Sequence, residues 1–226
     1  MKVKSFTAVD WRTGPDRIYF FFKDTDTYSR FNLGDNKVGS DYPASVAGNW
    51  GSFDESAKTL RFGFTTTNPS WNGGIDTLWL FYHQGNVPSV CEYSQQTDEV
   101  ISRLPLSQSK WAALLPYFER IVGVMWSDDT ASSKKIGLLM NDGNYLVYEE
   151  YSKTLQVRSL ADSPWSKLAS YKDRLMTAVM DEYPTFDSYS YIFLNDNQYF
   201  KFVKSTETLS GPHETNDNAW PGLFRD

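Results

Sequence analysis

The chain has 226 residues, of which 40% are hydrophobic and 16% aromatic, and its formal net charge is −6 at pH 7. This aromatic content excludes a disordered chain, because burial of the aromatic side chains offsets the entropy cost of folding. The negative charge argues against nucleic acid and anionic membranes as partners, since both require clustered Lys and Arg. Cys91 is the single cysteine, so packing without an internal disulfide must hold the fold.

The start of the chain predicts the compartment. No apolar signal segment follows Met1, and no stretch of the sequence has the length needed to span a bilayer. The sequence as written therefore predicts a cytoplasmic protein without a membrane span.

Four hairpins are predicted along the chain, each with a polar turn between strands rich in aromatic and aliphatic residues. Asn, Asp and Gly suit these turns because they tolerate positive φ. In chain order, the turns are Lys23–Thr27, His83–Asn86, Asn141–Asn144 and Asn195–Asn197.

A short apolar strand precedes each hairpin and carries a small residue at its third place. The small residues are Ala8, Gly63, Gly123 and Ala178, at separations of 55, 60 and 55 residues. A tryptophan closes each repeat, at Trp50, Trp111, Trp165 and Trp220, with separations of 61, 54 and 55. Repeats of this length indicate one supersecondary unit packed against copies of itself.

The repeat predicts an all-β, four-bladed β-propeller that forms a single domain over residues 1–226. The blades are expected at about 5–58, 59–119, 120–173 and 174–226. The small residues would let four inner strands converge near an axis, where larger side chains collide. The closing tryptophans would wedge into the gap between each blade and the next.

The repeats resemble the hemopexin-like family, most closely where Tyr191–Phe202 is followed by Trp220-Pro221-Gly222-Leu223. The resemblance covers residues 5–226 and implies a hemopexin-like propeller. The family usually has Asp at the second place of the inner strand, where this chain has Thr7, Phe62, Val122 and Thr177. Without a disulfide, the chain looks most like the disulfide-free seed albumins and small fungal and bacterial relatives.

The resemblance also implies a cation in the axial channel. In the family, main-chain carbonyls at the head of each inner strand hold it, and by position these belong to Thr7, Phe62, Val122 and Thr177. Four carbonyls and waters would suit Ca²⁺ or Na⁺. The alternative is an empty or water-filled channel.

No enzyme motif occurs in the chain. His83 and His213 are its only histidines, and neither belongs to a nucleophile, zinc or phosphate-loop pattern. The acidic pairs Asp128-Asp129, Glu149-Glu150 and Asp181-Glu182 are interpreted as solvated turns. The sequence therefore predicts a protein that is not an enzyme.

The connections after the inner strands combine aromatic with short polar and acidic residues. This mixture suits sugars, whose C–H faces pack on aromatic rings while their hydroxyls take hydrogen bonds. It predicts a carbohydrate-binding lectin that gains by multivalency. The alternative is that the tryptophans merely cap the inner strands. The candidate ligand-binding residues are Trp11, Arg12, Asp16, Trp71, Asn72, Asp76, Trp126, Asp128, Asp181 and Tyr183.

Two rival functions stay open. The resemblance to seed albumins implies a storage or sensor protein that binds haem or a polyamine, with a homodimer as one form. Haem would need a His or Tyr ligand, and a polyamine would suit the acidic charge. The third function is a module that docks onto an enzyme.

Overall fold

The computed structural model describes residues 5–67, 76–129, 134–181 and 188–225. Within these ranges the protein is all-β, which confirms the predicted class, and consists of seventeen strands and five 3₁₀ helices. Aromatic and β-branched residues fill the strands, as the pleated, half-buried surface of a sheet favours. In the part of the chain thus described, no helix is long and apolar enough to cross a membrane.

The strands group into four consecutive antiparallel units. The first unit contains β1 (Phe6–Trp11), β2 (Arg17–Phe22), β3 (Thr27–Asn32), β4 (Lys37–Val38), β5 (Ala44–Ser45) and a 3₁₀ helix (Gly51–Thr59). The second contains β6 (Leu60–Thr66), β7 (Thr77–Gln84), β8 (Val87–Ser94), β9 (Glu99–Pro105) and 3₁₀ helices at Leu106–Gln108 and Ala112–Tyr117.

The third and fourth units repeat this arrangement. The third contains β10 (Ile121–Asp129), β11 (Lys134–Met140), β12 (Asn144–Glu149), β13 (Thr154–Ser159) and a 3₁₀ helix (Ser166–Arg174). The fourth contains β14 (Leu175–Asp181), β15 (Tyr189–Leu194), β16 (Gln198–Val203), a 3₁₀ helix (Lys204–Thr206) and β17 (Thr208–Glu214).

The four predicted hairpins are confirmed, because β2–β3, β7–β8, β11–β12 and β15–β16 pair antiparallel. Their turns use positive φ where the sequence offers Asp, Asn or Gly. Asp26 has φ 56°, Gly143 has φ 88° and Asn197 has φ 59°. These residue types reach that region at little steric cost, and the turn chemistry therefore fixes where each hairpin folds back.

The units meet through their first strands. β1 lies against β6 and β14, and β10 also lies against β6 and β14. The Thr7 hydroxyl donates to the Leu60 carbonyl at 3.1 Å, and the Ala8 N–H donates to Thr177 Oγ1 at 3.1 Å. β10 and β14 pair in parallel, which joins the third and fourth units into one eight-stranded sheet.

The small residues of these strands allow the close approach. A Cβ added at Gly123 would lie 2.1 Å from the Ala178 carbonyl oxygen and 2.5 Å from the Ala178 nitrogen. Both atoms are backbone and have no rotamer by which to move away. The steric reason predicted for the small residues is therefore confirmed at this pair.

Gly123→Ala is expected to lower the free energy of unfolding by about 1–3 kcal/mol, the usual range for overpacking a filled site. Chemical denaturation measures the change, with Gly34→Ala as the control, because a Cβ at Gly34 meets nothing within 4 Å. A Gly123→Ala protein within about 0.5 kcal/mol of wild type would contradict the close packing of β10 on β14.

The four closing tryptophans pack between neighbouring units, as predicted. Their exposures are 3% for Trp50, 0% for Trp111, 4% for Trp165 and 3% for Trp220. Trp220 packs on Phe20 of the first unit and Tyr191 of the fourth, with ring centroids 5.6 and 5.0 Å away. The core is thus continuous from the last unit to the first.

Hydrogen bonds that involve main-chain carbonyls also join the first unit to the C-terminal part of the described chain. The Val38 N–H donates to the Pro221 carbonyl at 2.9 Å. Arg225 Nη1 donates to the Gly39 carbonyl at 3.0 Å. Cys91 is buried and makes no disulfide, so packing and hydrogen bonds hold the first and fourth units together.

Candidate functional site

A groove of about 430 Å³ opens on the sheet of the third unit. Its volume falls in the range of small-molecule binding sites. Seven of its eight lining residues belong to β10–β13, and the eighth, Ser152, precedes β13. The lining residues are Trp126, Lys135, Val147, Glu149, Ser152, Thr154, Gln156 and Arg158.

Strand register explains why these side chains share one face. Residues opposite each other on neighbouring strands point to the same face, as do residues two apart along a strand. One cross-strand row runs Trp126, Gly137, Val147, Gln156, and the next runs Asp128, Lys135, Glu149, Thr154. The rows bring two predicted ligand-binding residues, Trp126 and Asp128, to the groove face.

Gly137 gives the Trp126 indole its position. A Cβ at residue 137 would lie 2.3 Å from Trp126 Nε1 and 2.4 Å from Trp126 Cε2. The indole therefore lies directly over the Gly137 backbone, in space that any side chain would fill. Trp126 is half-buried and packs against the core between the third and fourth units.

Polar groups surround this aromatic surface. Lys135 Nζ is 3.8 Å from Glu149 Oε2, and Arg158 Nη2 donates to Gln156 Oε1 at 3.0 Å. The hydroxyls of Ser152 and Thr154 are 2.8 Å apart. The groove therefore offers an indole, two hydroxyls, one amide and charges of both signs.

Several residues predicted for loops belong to strands. Trp11, Trp126, Asp128 and Asp181 lie in β1, β10 and β14. The prediction of loops at these positions was wrong, because the antiparallel pairing of each first strand with the next strand continues through these residues. Asp128 still pairs with Lys135, and Asp181 still pairs with Tyr189. The predicted residues Trp71, Asn72 and Tyr183 lie outside the described residues.

Trp11 lies in the core. It is 6% exposed, and its ring centroid is 5.3 Å from that of Tyr19 and 6.2 Å from that of Trp50. Its Nε1 donates to the Thr13 carbonyl at 3.1 Å. Side chains of the protein therefore cover this ring, which holds the end of β1 in place.

A second polar site lies at the ends of β1 and β14. Arg12 Nε is 3.9 Å from Asp16 Oδ1, and Asp76 Oδ2 accepts a hydrogen bond from Thr13 Oγ1 at 2.8 Å. Gln95 Oε1 accepts from the main-chain N–H groups of Arg12 and Thr13 at 2.8 and 2.9 Å. This connection is therefore held by the second unit, through a glutamine that no sequence signal marked.

Two carboxyls of this site are strongly desolvated. Burial raises the pKa of Asp10 to about 6, opposed by the charge of Arg12. Burial also raises the pKa of Asp181 to about 6, with a further rise from Asp16. Asp10 Oδ1 accepts from the Thr65 N–H at 2.9 Å, and Asp10 Oδ2 has no hydrogen-bond partner among the described residues.

The residues predicted to hold an axial cation are all buried where the four units meet. The Thr7 and Thr177 hydroxyls bond to neighbouring first strands. In the described ranges, no group of three or more His, Cys, Asp or Glu side chains could hold a metal ion. The predicted site uses main-chain oxygens and is not tested by that finding. The four residues are Thr7, Phe62, Val122 and Thr177.

Both histidines contact polar side chains. His83 Nε2 lies 2.8 Å from Glu119 Oε1, and its ring packs edge-on against Phe118. His213 Nε2 lies 3.1 Å from Ser210 Oγ. A haem bound through either histidine would have to displace these contacts.

Sequence reasoning missed most of the groove. Gly137 carried a usable signal, because a glycine inside a strand pattern marks a close approach by another group. Gln156 and Arg158 carried none, since exposed polar residues on an outer strand are ordinary. Glu149 was interpreted as part of a solvated turn, whereas it lies in β12 and points into the groove.

No family model matches the chain, and no curated protein matches it. The chain is similar to a structural genomics protein of unknown function from Bacteroides thetaiotaomicron VPI-5482, with 13% identity and a TM-score of 0.39 over 92% of this chain and 43% of that one. It is also similar to BBS1N in complex with ARL6DN, with 9% identity and a TM-score of 0.31 over 92% of this chain and 53% of that one. The chain spans about half the length of these solved chains. At these TM-scores, neither likeness identifies a fold or a function.

Proposed function

We propose that the protein is a non-enzymatic lectin that binds carbohydrate in the groove beside Trp126. The observation that carries the proposal is the half-buried indole held over Gly137 beside a ring of polar side chains. A sugar packs its C–H face on such an indole, while its hydroxyls bond to Lys135, Glu149 and Gln156. The groove volume suits a small ligand of this kind.

We further propose that the four units are the blades of a hemopexin-like β-propeller. Two features support this arrangement: the first strand of each unit contacts those of its two neighbours, and Trp220 packs between the fourth unit and the first. In such a ring the groove faces the gap between the third and fourth blades. The main-chain oxygens of Thr7, Phe62, Val122 and Thr177 would then surround an axial Ca²⁺ or Na⁺.

A glycan array tests the lectin proposal, with wild type, Trp126→Ala and Tyr117→Ala probed in Ca²⁺ and again in chelator. Tyr117 is the matched control, a half-buried aromatic residue of the second unit outside the groove. We expect wild type and Tyr117→Ala to bind one coherent set of glycans and Trp126→Ala to lose it. A blank wild-type array, or binding that survives Trp126→Ala, would contradict the proposal. Binding in chelator would assign any Ca²⁺ a structural role only.

Gly137→Ala provides a second test that leaves the indole chemically intact. The added methyl must displace Trp126, because the contact of 2.3 Å is far below any real Cβ contact. We expect glycan affinity to fall at least tenfold, while Gly34→Ala keeps it. Unchanged affinity in Gly137→Ala would show that the position of the indole does not matter for binding.

A cationic ligand such as a polyamine is the second candidate, and the desolvated carboxyls at the ends of β1 and β14 favour it. Asp16 Oδ1 lies 3.9 Å from Arg12 Nε, and burial raises the pKa of Asp10, Asp16 and Asp181 against the opposing charge of Arg12. Titration calorimetry with spermidine tests this function. Binding that weakens in Asp16→Asn supports it, and the absence of heat with wild type would contradict it.

A further inference from the structure

The two ends of the groove in the third unit differ in charge. At one end, Lys135 stands between two carboxylate residues in its cross-strand row, with Asp128 opposite on β10 and Glu149 opposite on β12. Its ammonium lies 3.8 Å from Glu149 Oε2. The positive charge of Lys135 is therefore balanced by acidic neighbours of the same row.

At the other end, Arg158 has a neutral partner. It lies on β13, two residues from Gln156, and its Nη2 donates to Gln156 Oε1 at 3.0 Å. Among the described residues, no carboxylate forms an ion pair with Arg158. Its neighbour across the strand pair is Tyr145 of β12, which is also uncharged.

This arginine is exposed and has most of its donors to offer. A guanidinium carries five N–H groups in a planar fork, which matches the two oxygens of a carboxylate. Lysine would not make the same paired contact, since its ammonium is a point charge on a flexible stem. The Gln156 bond orients the guanidinium without neutralising it.

We infer that the natural ligand of the groove is an acidic glycan, whose carboxylate binds to Arg158 while a sugar ring packs on Trp126. This inference rests on the proposed lectin function. The carboxylates at the opposite end accept hydrogen bonds from sugar hydroxyls, and they repel a second acidic group. The groove therefore selects for an acidic ligand and also determines the orientation in which that ligand binds.

The strand spacing sets the reach that this ligand needs. The indole covers β11, and β13 is two strand spacings away, roughly 10 Å. Val147 of β12 lies between them and offers an apolar floor. A ligand that extends across β12 can contact both Trp126 and the long side chain of Arg158.

Matched pairs of methyl glycosides test the inference: glucuronide with glucoside, and galacturonide with galactoside. With wild type at low salt, we expect one uronide to bind about tenfold more tightly than its neutral partner, as a charged hydrogen bond of about 1.5 kcal/mol or more allows. The preference should shrink as salt rises, because the pair is solvent-exposed.

Variants separate this inference from the function on which it rests. Arg158→Gln should bind both members of the pair equally, and Arg158→Lys should keep only part of the preference. Lys58→Gln changes the net charge by the same amount outside the groove and should keep the full preference. Trp126→Ala should weaken both glycosides.

The outcomes are distinguishable. Equal binding of acidic and neutral glycosides by wild type would overturn the acidic ligand and leave the lectin in place. A preference that persists in Arg158→Gln would likewise overturn the role of Arg158. Wild type that binds neither glycoside of either pair would contradict the lectin and the inference together.

Discussion

Replacing Trp111 by Ala is expected to lower the free energy of unfolding by about 3–5 kcal/mol. The side chain is 0% exposed. Its ring centroid lies 5.1 Å from that of Phe64 and 5.5 Å from that of Trp79 in the second unit, and 5.2 Å from that of Tyr148 in the third. Removing the indole thus opens a cavity between two units that neither can collapse to fill.

Denaturant unfolding measures this change, provided that the slope with denaturant stays that of wild type. Tyr151→Ala is the control, because Tyr151 is 58% exposed and its loss should change stability by less than about 0.5 kcal/mol. A loss below about 1 kcal/mol in Trp111→Ala would show that this side chain does not stabilise the contact between the second and third units.

Asp10 is expected to make the protein less stable as the pH rises from about 4 to about 6. Its pKa is about 6 in the folded protein against an ordinary value of 3.8, so the folded state holds a proton that the unfolded chain has already released. Stability from this group is fully present below the ordinary pKa and is lost as pH rises through the folded pKa. The loss amounts to about 3 kcal/mol, since each pKa unit corresponds to about 1.36 kcal/mol.

Comparison with Asp10→Asn isolates this effect from the other titrating groups. The free energy of unfolding of both proteins is measured between pH 4 and pH 7. Wild type should lose stability relative to the variant across this window, because the amide cannot ionise. Asp181 contributes to both curves, and less in the variant, since the charge of Asp10 also raises the pKa of Asp181. If the free energies of unfolding of wild type and Asp10→Asn changed in parallel with pH, the raised pKa of the Asp10 carboxyl would be contradicted.

The repeat made the strands predictable from the sequence. Hairpin turns depend on local chemistry, and Gly143 and Asn197 have the positive φ that such turns need. Small residues at a constant spacing also indicated where backbones approach, as Gly123 does with Ala178. These features are local or periodic, and a single sequence displays both.

The groove could not be predicted in the same way, because it depends on register and on neighbouring units. Trp11 and Trp126 each follow the small residue of a first strand by three positions. Trp50 and Tyr93 cover Trp11, whereas Trp126 lies over Gly137 and lines the groove. Asp181 holds the corresponding place in β14 and forms part of a charged site instead. Equal sequence positions thus acquire different roles from the residues that pack against them.

The most direct test of glycan binding at Trp126 is an NMR titration of the tryptophan indole N–H signals. The chain has eight tryptophans, and Trp126→Phe assigns the signal of residue 126. Neutral and acidic methyl glycosides at rising concentration serve as the probes. We predict that the Trp126 signal shifts with saturation while the signals of the buried Trp50, Trp111 and Trp220 stay fixed. A Trp126 signal that does not move, or a saturable shift confined to other tryptophans, would contradict binding in this groove.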